Sequence, residues 1–141
     1  VQSIGARINK IFLTTVNNKD LSNVDGIDYL SGASLFFHRN ILNKIGLFPE
    51  EYFMYYEDVD WCTKAKKNNI SLNIDSKCKI FHDKKNLINL KLKLRSHMNR
   101  LLFCKKYFYY KAPIVFVGVL FSVMFALLKF PILIIKYGKN N

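Results

Sequence analysis

Carboxylates are scarce in this 141-residue chain: ten Asp and Glu stand against 22 Lys and Arg, for a net charge of +12. Such an imbalance points to nucleic acid, an anionic membrane surface or a phosphorylated substrate. The basic residues are scattered and form no recognisable nucleic-acid module, so nucleic acid is not expected as a partner. Cysteine is also rare. Cys62, Cys78 and Cys104 are far apart and form no CxxC pair, which excludes a disulfide framework and a thiolate metal site and predicts free thiols in a reducing compartment. A Gly-rich phosphate loop, an internal repeat and a signal-peptide pattern are all missing. The opening "VQSIGARINKIF" does not read as a protein's start, so a piece of a longer protein or a truncated reading frame is expected.

At this length the chain is one domain or part of one. Residues 1–27 are polar and read as irregular loop. "IDYLSGASLFF" reads as an extended segment broken at Ser31-Gly32, where glycine permits special backbone angles or a close approach. "RNILNKIG" reads as a short helix, with Asn40 as its N-cap and Gly46 as its stop. A second helix is predicted over residues 57–67, with its acids in the first turn, its lysines in the last and Asn68-Asn69 beyond. "ISLNI" and "CKIF" are strand candidates, and residues 86–110 suit a long basic helix.

Residues 112–128 carry no charge. Lys129 interrupts the run before "FPILII", and with that lysine snorkelling the stretch is long enough for a bilayer. Lysines flank it on both sides and leave its orientation open. Three parts are therefore expected: a soluble part over 1–85, a basic helix over 86–111 and an apolar membrane-associated helix over 112–136.

The few acids are concentrated in "FMYYEDVDWC". On a helix, Glu57 and Asp60 share a face at i, i+3, and Asp58 points elsewhere. A carboxylate beside aromatic rings is partly desolvated, which raises its proton affinity and suits it to general-base chemistry. Acids in a first turn also cap helices without doing any chemistry, and spacing alone leaves both readings open. His82, directly after the second strand candidate, is open in the same way between packing residue and metal ligand.

The order of these pieces resembles the C-terminal half of the catalytic domain of family-two glycosyltransferases, above all the rhamnosyltransferase-like members that build bacterial surface polysaccharides. The resemblance covers residues 24–108. It is carried by Ser31-Gly32-Ala33-Ser34, Gly46-Leu47-Phe48, Glu51, Phe53, Tyr55, Tyr56-Glu57-Asp58, Asp60, His82, and then Asn99, Arg100 and Phe103. It implies an α/β fold of the GT-A kind, present here as its C-terminal part. It also implies an inverting transferase that uses a nucleotide-diphosphate sugar donor, a saccharide or lipid-linked acceptor and a divalent cation, Mg or Mn, at the cytoplasmic face of the cell membrane. Asp58 takes the role of catalytic base, with Glu57 second. Ser31, Gly32, Ala33, Asp60 and Arg100 take substrate-binding roles, and His82 that of a metal ligand. Lys64 stands where the family has Arg, and Met98 replaces the Arg of its "RN" pair. The nucleotide-binding βαβ units and Asp-x-Asp metal motif of the family's N-terminal half are not found, so turnover by this chain alone is not expected.

Overall fold

The computed structural model describes residues 5–20, 26–75, 77–81 and 90–137, with side chains as far as residue 128. Two short strands open it. β1 (Ala6–Ile8) and β2 (Thr15–Asn17) pair antiparallel, with Arg7 opposite Val16. Within the irregular loop expected over residues 1–27, residues 6–17 thus form a hairpin instead. Its strands are too short to show apolar alternation, and its turn is set by side-chain chemistry instead. The Asn9 Oδ1 accepts the backbone N–H groups of Ile11 and Phe12, each at 2.9 Å. Leu13 then takes a left-handed backbone, φ 55°, and turns its side chain into the core.

α1 (Asn40–Ile45) ends at Gly46, whose φ of 80° lies in the region glycine favours. Asn40 was expected as the N-cap. It is instead the first helical residue, Arg39 holds the cap position, and no side chain caps the end. α2 (Glu57–Lys67) has the predicted bounds, with three acids in its first turn and three lysines in its last. Its apolar face, Val59, Trp61, Cys62 and Ala65, is buried. Trp61 stacks on Phe48 with centroids 5.0 Å apart and donates its indole N–H to the Gly46 carbonyl at 2.9 Å, which fixes α1 against α2.

Neither strand candidate forms a strand among the described residues. A strand needs a hydrogen-bonded neighbour, and none runs beside residues 70–75 or 77–81. α3 (Leu90–Tyr107) realises most of the basic helix, although residues 86–89 lie outside the described part. A single 3₁₀ turn, Tyr109–Lys111, leads into α4 (Ala112–Tyr137). The core gathers Leu13, Tyr52, Tyr56, Val59, Trp61, Phe103 and Val115, so hairpin, α2, α3 and the first turns of α4 share one apolar interior. Beyond that contact α4 is mostly exposed: Tyr109–Leu128 is long and apolar enough to cross a membrane, and only 11% of that window is buried.

Candidate active site

The N-terminus of α2 is reached through an unusual piece of backbone. Phe53, Tyr55 and Tyr56 all have positive φ, at 56°, 68° and 72°. A left-handed conformation costs a non-glycine residue about 1–2 kcal/mol, so something must hold this loop. Asn99 on α3 does so. Its side-chain amide donates to the carbonyls of Tyr52, Met54 and Tyr55 at 2.8, 2.7 and 2.8 Å. Two N–H bonds serve three acceptors, so one is shared. Tyr56, the residue before α2, packs on Phe103 and donates its hydroxyl to the Leu13 carbonyl at 2.7 Å. The helix start is thereby fixed from three sides.

Asp58 stands at this start, half-buried. Its Oδ2 accepts the backbone N–H of Gly32 at 3.0 Å, and its Oδ1 accepts that of Val59 at 2.8 Å. Burial pushes its pKa up, and the two amides pull against that shift without cancelling it. Glu57, also half-buried, is raised as well, first by burial and then by the charge of Asp58. Its Oε2 is buried without a hydrogen-bond partner. Exposed residues 31–34 lie on one side of the pair, and the exposed rings of Phe53 and Tyr55 belong to the loop leading into it. The arrangement presents a fixed carboxylate, with elevated proton affinity, at a partly open surface.

Gly32 does not use the special backbone angles that glycine permits. Its φ is not left-handed, and a Cβ added there would sit 3.6 Å from the Asp58 Cβ, an ordinary contact. The feature that matters is its amide. Ser31 and Ala33 belong to the same turn, where the Ser31 Oγ accepts the Ala33 N–H at 3.4 Å.

Asp60 takes a separate path. Asp58-Val59-Asp60 has Asp-x-Asp spacing, a match the sequence reading passed over, but the helix turns the two carboxylates apart. The Asp60 side chain is fully buried and accepts the hydroxyls of Tyr52 and Tyr107, each at 2.8 Å. Lys106 lies 2.8 Å from it and Lys64 3.7 Å. Lys106 also pairs with Glu51 at 2.7 Å. Partial burial lowers the Lys106 pKa, but these two carboxylates outweigh that effect and hold it above the usual lysine range. Asp60 thus ties α2 to α3 inside the molecule, away from the face Asp58 presents.

Arg100 is buried on α3 and makes no hydrogen bond or ion pair with Glu57 or Asp58. Its Nε and Nη2 have no partner, nor does the buried Nε2 of His97 one turn earlier. Desolvation disfavours the charge on both. His82, the expected metal ligand, lies outside the described residues. Among the described residues no three His, Cys, Asp or Glu side chains gather to hold a metal ion, so no divalent cation is assigned to them. A groove of about 590 Å³ beside Ile27, Lys66 and Ile70–Ile74 contains no acid and lies at the opposite end of α2 from Asp58.

Sequence reasoning missed two structural supports, the Asn99 clamp and the tyrosine pair on Asp60. Asn99 entered it only as part of a resemblance. An asparagine inside an apolar-basic helix is itself a signal, since its amide has no use there unless it has a target.

The chain is 30% identical over 50 residues to the low-salt glycan biosynthesis hexosyltransferase Agl10 of Haloferax volcanii. The match takes in 36% of this chain and 16% of that relative's length. No family model matches, and no solved structure matches. The relationship is glycosyltransferase-like.

Proposed function

We propose that this chain is the acceptor-side part of an inverting, nucleotide-sugar-dependent glycosyltransferase for cell-surface polysaccharide, with Asp58 as its base. The fold is read as the C-terminal part of a GT-A domain followed by a membrane-associated helix. The observation that carries the reading is Asp58 itself: an oriented, partly buried carboxylate with raised proton affinity, on a helix start clamped by Asn99 and Tyr56. The similarity to a glycan hexosyltransferase supports the same class.

In the proposed step, the acceptor hydroxyl gives its proton to Asp58. Its oxygen forms a bond to the anomeric carbon as the bond to the diphosphate oxygen breaks, and the leaving group keeps the electron pair. Asp58 and Gly32 lie on structured backbone, so the base is positioned before the acceptor arrives. The turn at Ser31, Gly32 and Ala33 is assigned to the acceptor sugar. The Arg100 guanidinium, whose Nε and Nη2 lack partners, suits a phosphate oxygen, and Asp60 maintains the scaffold of the site. The base alone is not turnover: a donor-binding half and a divalent cation are part of the proposal and are not assigned to described residues. α4 would hold the domain at an anionic membrane, on the cytoplasmic face where nucleotide sugars are expected.

The second reading, a non-catalytic membrane-associated protein, draws on the Val59 N–H to Asp58 bond, which is ordinary helix-end chemistry. Membranes containing the full gene product, offered a panel of nucleotide sugars and saccharide or lipid-linked acceptors, decide between them. Sugar transfer that disappears in Asp58→Asn supports the enzyme. Transfer that survives the substitution moves the base to Glu57 or another group, and no transfer with any donor favours the second reading.

A further inference from the structure

We propose that the loop between β1 and β2 is a membrane wedge, with Ile11 and Phe12 entering lipid beside α4 near the boundary of headgroups and acyl chains. The inference rests on α4 lying in a bilayer, as read above.

The loop and α4 are fitted to one another. The Phe12 ring lies so close to Gly118 that a Cβ there would come within 2.8 Å of its Cδ1. Seven residues earlier, the Lys111 Nζ donates to the Lys10 carbonyl at 2.6 Å. The two contacts hold the loop beside the start of α4, with the Phe12 ring at the level of Gly118, about 10 Å along the axis from Lys111 at 1.5 Å per residue. Its form is fixed from within. Asn9 accepts two of its amides, and the Leu13 carbonyl accepts the Tyr56 hydroxyl.

The chemistry of the surroundings points to lipid. Ile11 is 53% exposed and Phe12 39%, an uncommon use of two apolar residues at a hairpin tip. Around the helix at the same height Ile114, Phe116, Val117 and Leu120 are exposed as well. Tyr109 and Tyr110, both exposed, stand just above at the start of the span, where amphipathic rings favour headgroups. With those rings at headgroup level, the loop tip is carried about 10 Å deeper, the depth at which interfacial apolar faces settle. Lys10, exposed although paired with Asp28 at 3.1 Å, and the neighbouring Lys111 put positive charge beside the loop, suited to anionic headgroups. One surface thus shows aromatic belt, basic rim and apolar tip in the order in which a bilayer presents its layers.

The test uses the full chain with the exposed Cys78 changed to Ser, because Cys62 and Cys104 are buried. A single cysteine is added as Ile11→Cys, Val16→Cys or Phe121→Cys and labelled with an environment-sensitive fluorophore. Each protein is reconstituted into phosphatidylglycerol–phosphatidylethanolamine vesicles. Quenching by doxyl-labelled lipid is compared with quenching by aqueous iodide. The expected result is lipid quenching at positions 11 and 121, and iodide quenching at least threefold stronger at position 16 than at position 11. If position 121 is immersed while position 11 behaves like position 16, the wedge is overturned and the reading of α4 stands. If position 121 is open to iodide, both fall. If position 11 is shielded from both quenchers, a protein surface such as a second copy covers it, and the lipid assignment is overturned.

Discussion

The backbone amide of Gly32 donates to Oδ2 of Asp58 over 3.0 Å, joining an exposed turn to the first turn of α2 across 26 positions of sequence. This bond orients the proposed base and also sets its acidity, because each amide aimed at a carboxylate favours the ionised form. Burial works the other way and prevails. The result is a carboxylate that is aimed but still ready to take a proton.

Replacing Asp58 by Asn keeps an oxygen for a backbone amide and removes the proton acceptor. Transfer is expected to fall by about 10²–10⁴-fold, the usual contribution of a general base. Donor affinity should change less than twofold. Glu57→Gln, which leaves Asp58 in place, should cost less than tenfold. Steady-state rates together with donor titration separate the two variants. Near-normal turnover in Asp58→Asn would end the assignment.

The pH dependence follows from the direction of the shifts. The base works when ionised, and burial raises the Asp58 pKa above the usual aspartate value of 3.8. The acid limb of the rate profile should therefore lie at higher pH than for an ordinary aspartate. Stability runs against activity for this group. Its contribution is fully present below pH 3.8 and is lost as pH rises through the folded-state pKa. Asp28 has the opposite sign. Burial pushes its pKa up, but the Ile8 amide, Lys10 and Lys66 bring it below the usual value. Its stabilisation is present above pH 3.8 and lost as pH falls through its folded-state pKa. Urea unfolding against pH should show a weaker acid-side decline in Asp28→Asn and the rate limb removed only in Asp58→Asn.

Asn99 is a second lever. Asn99→Ala leaves three carbonyls without their donor and is expected to cost about 1–3 kcal/mol, the range for unpaired buried groups. Asn99→Asp should cost more, because it points a carboxylate at those same carbonyls. Denaturant unfolding of the two variants tests the order. The rate of transfer should fall in both, since the left-handed residues that aim α2 lose their clamp.

Asp60 is expected to respond as an interior ion. Tyr107→Phe removes one of its two hydroxyl donors, at about 1.5–3 kcal/mol for a bond to a charged group. Asp60→Ala should cost more than Tyr107→Phe, because it takes the acceptor from both tyrosine hydroxyls and leaves Lys106 with Glu51 alone. Thermal unfolding in detergent reads both. Equal, negligible effects would remove Asp60 from the scaffold role.

How much of this was legible in the sequence depended on range. α2 was read to the residue because its signals are local: acids at one end, lysines at the other, asparagines after them. Gly46 and the apolar α4 were legible for the same reason. The hairpin was not, since its turn is made by one Asn9 side chain and its strands have three residues each. The strands expected at "ISLNI" and "CKIF" had the right composition but, among the described residues, no neighbour to pair with. The candidate site was half legible. The carboxylates were visible, but their supports were not, because Asn99 and Tyr107 reach their targets over separations of 44 to 47 residues.

Gly32 offers the sharpest separation of roles within the site. If its amide is what counts, Gly32→Ala should be nearly silent, because the added Cβ meets Asp58 at ordinary contact distance and the backbone is not left-handed. A stability change under about 1 kcal/mol and an unchanged acid limb are expected, given the modest stabilising effect of such substitutions at compatible positions. If the acceptor sugar also packs on this bare backbone, the same variant should raise the acceptor KM and leave kcat and the pH profile alone. A shift of the acid limb in Gly32→Ala would mean that the methyl has displaced the amide from Asp58, and the account of how this carboxylate is tuned would have to be abandoned.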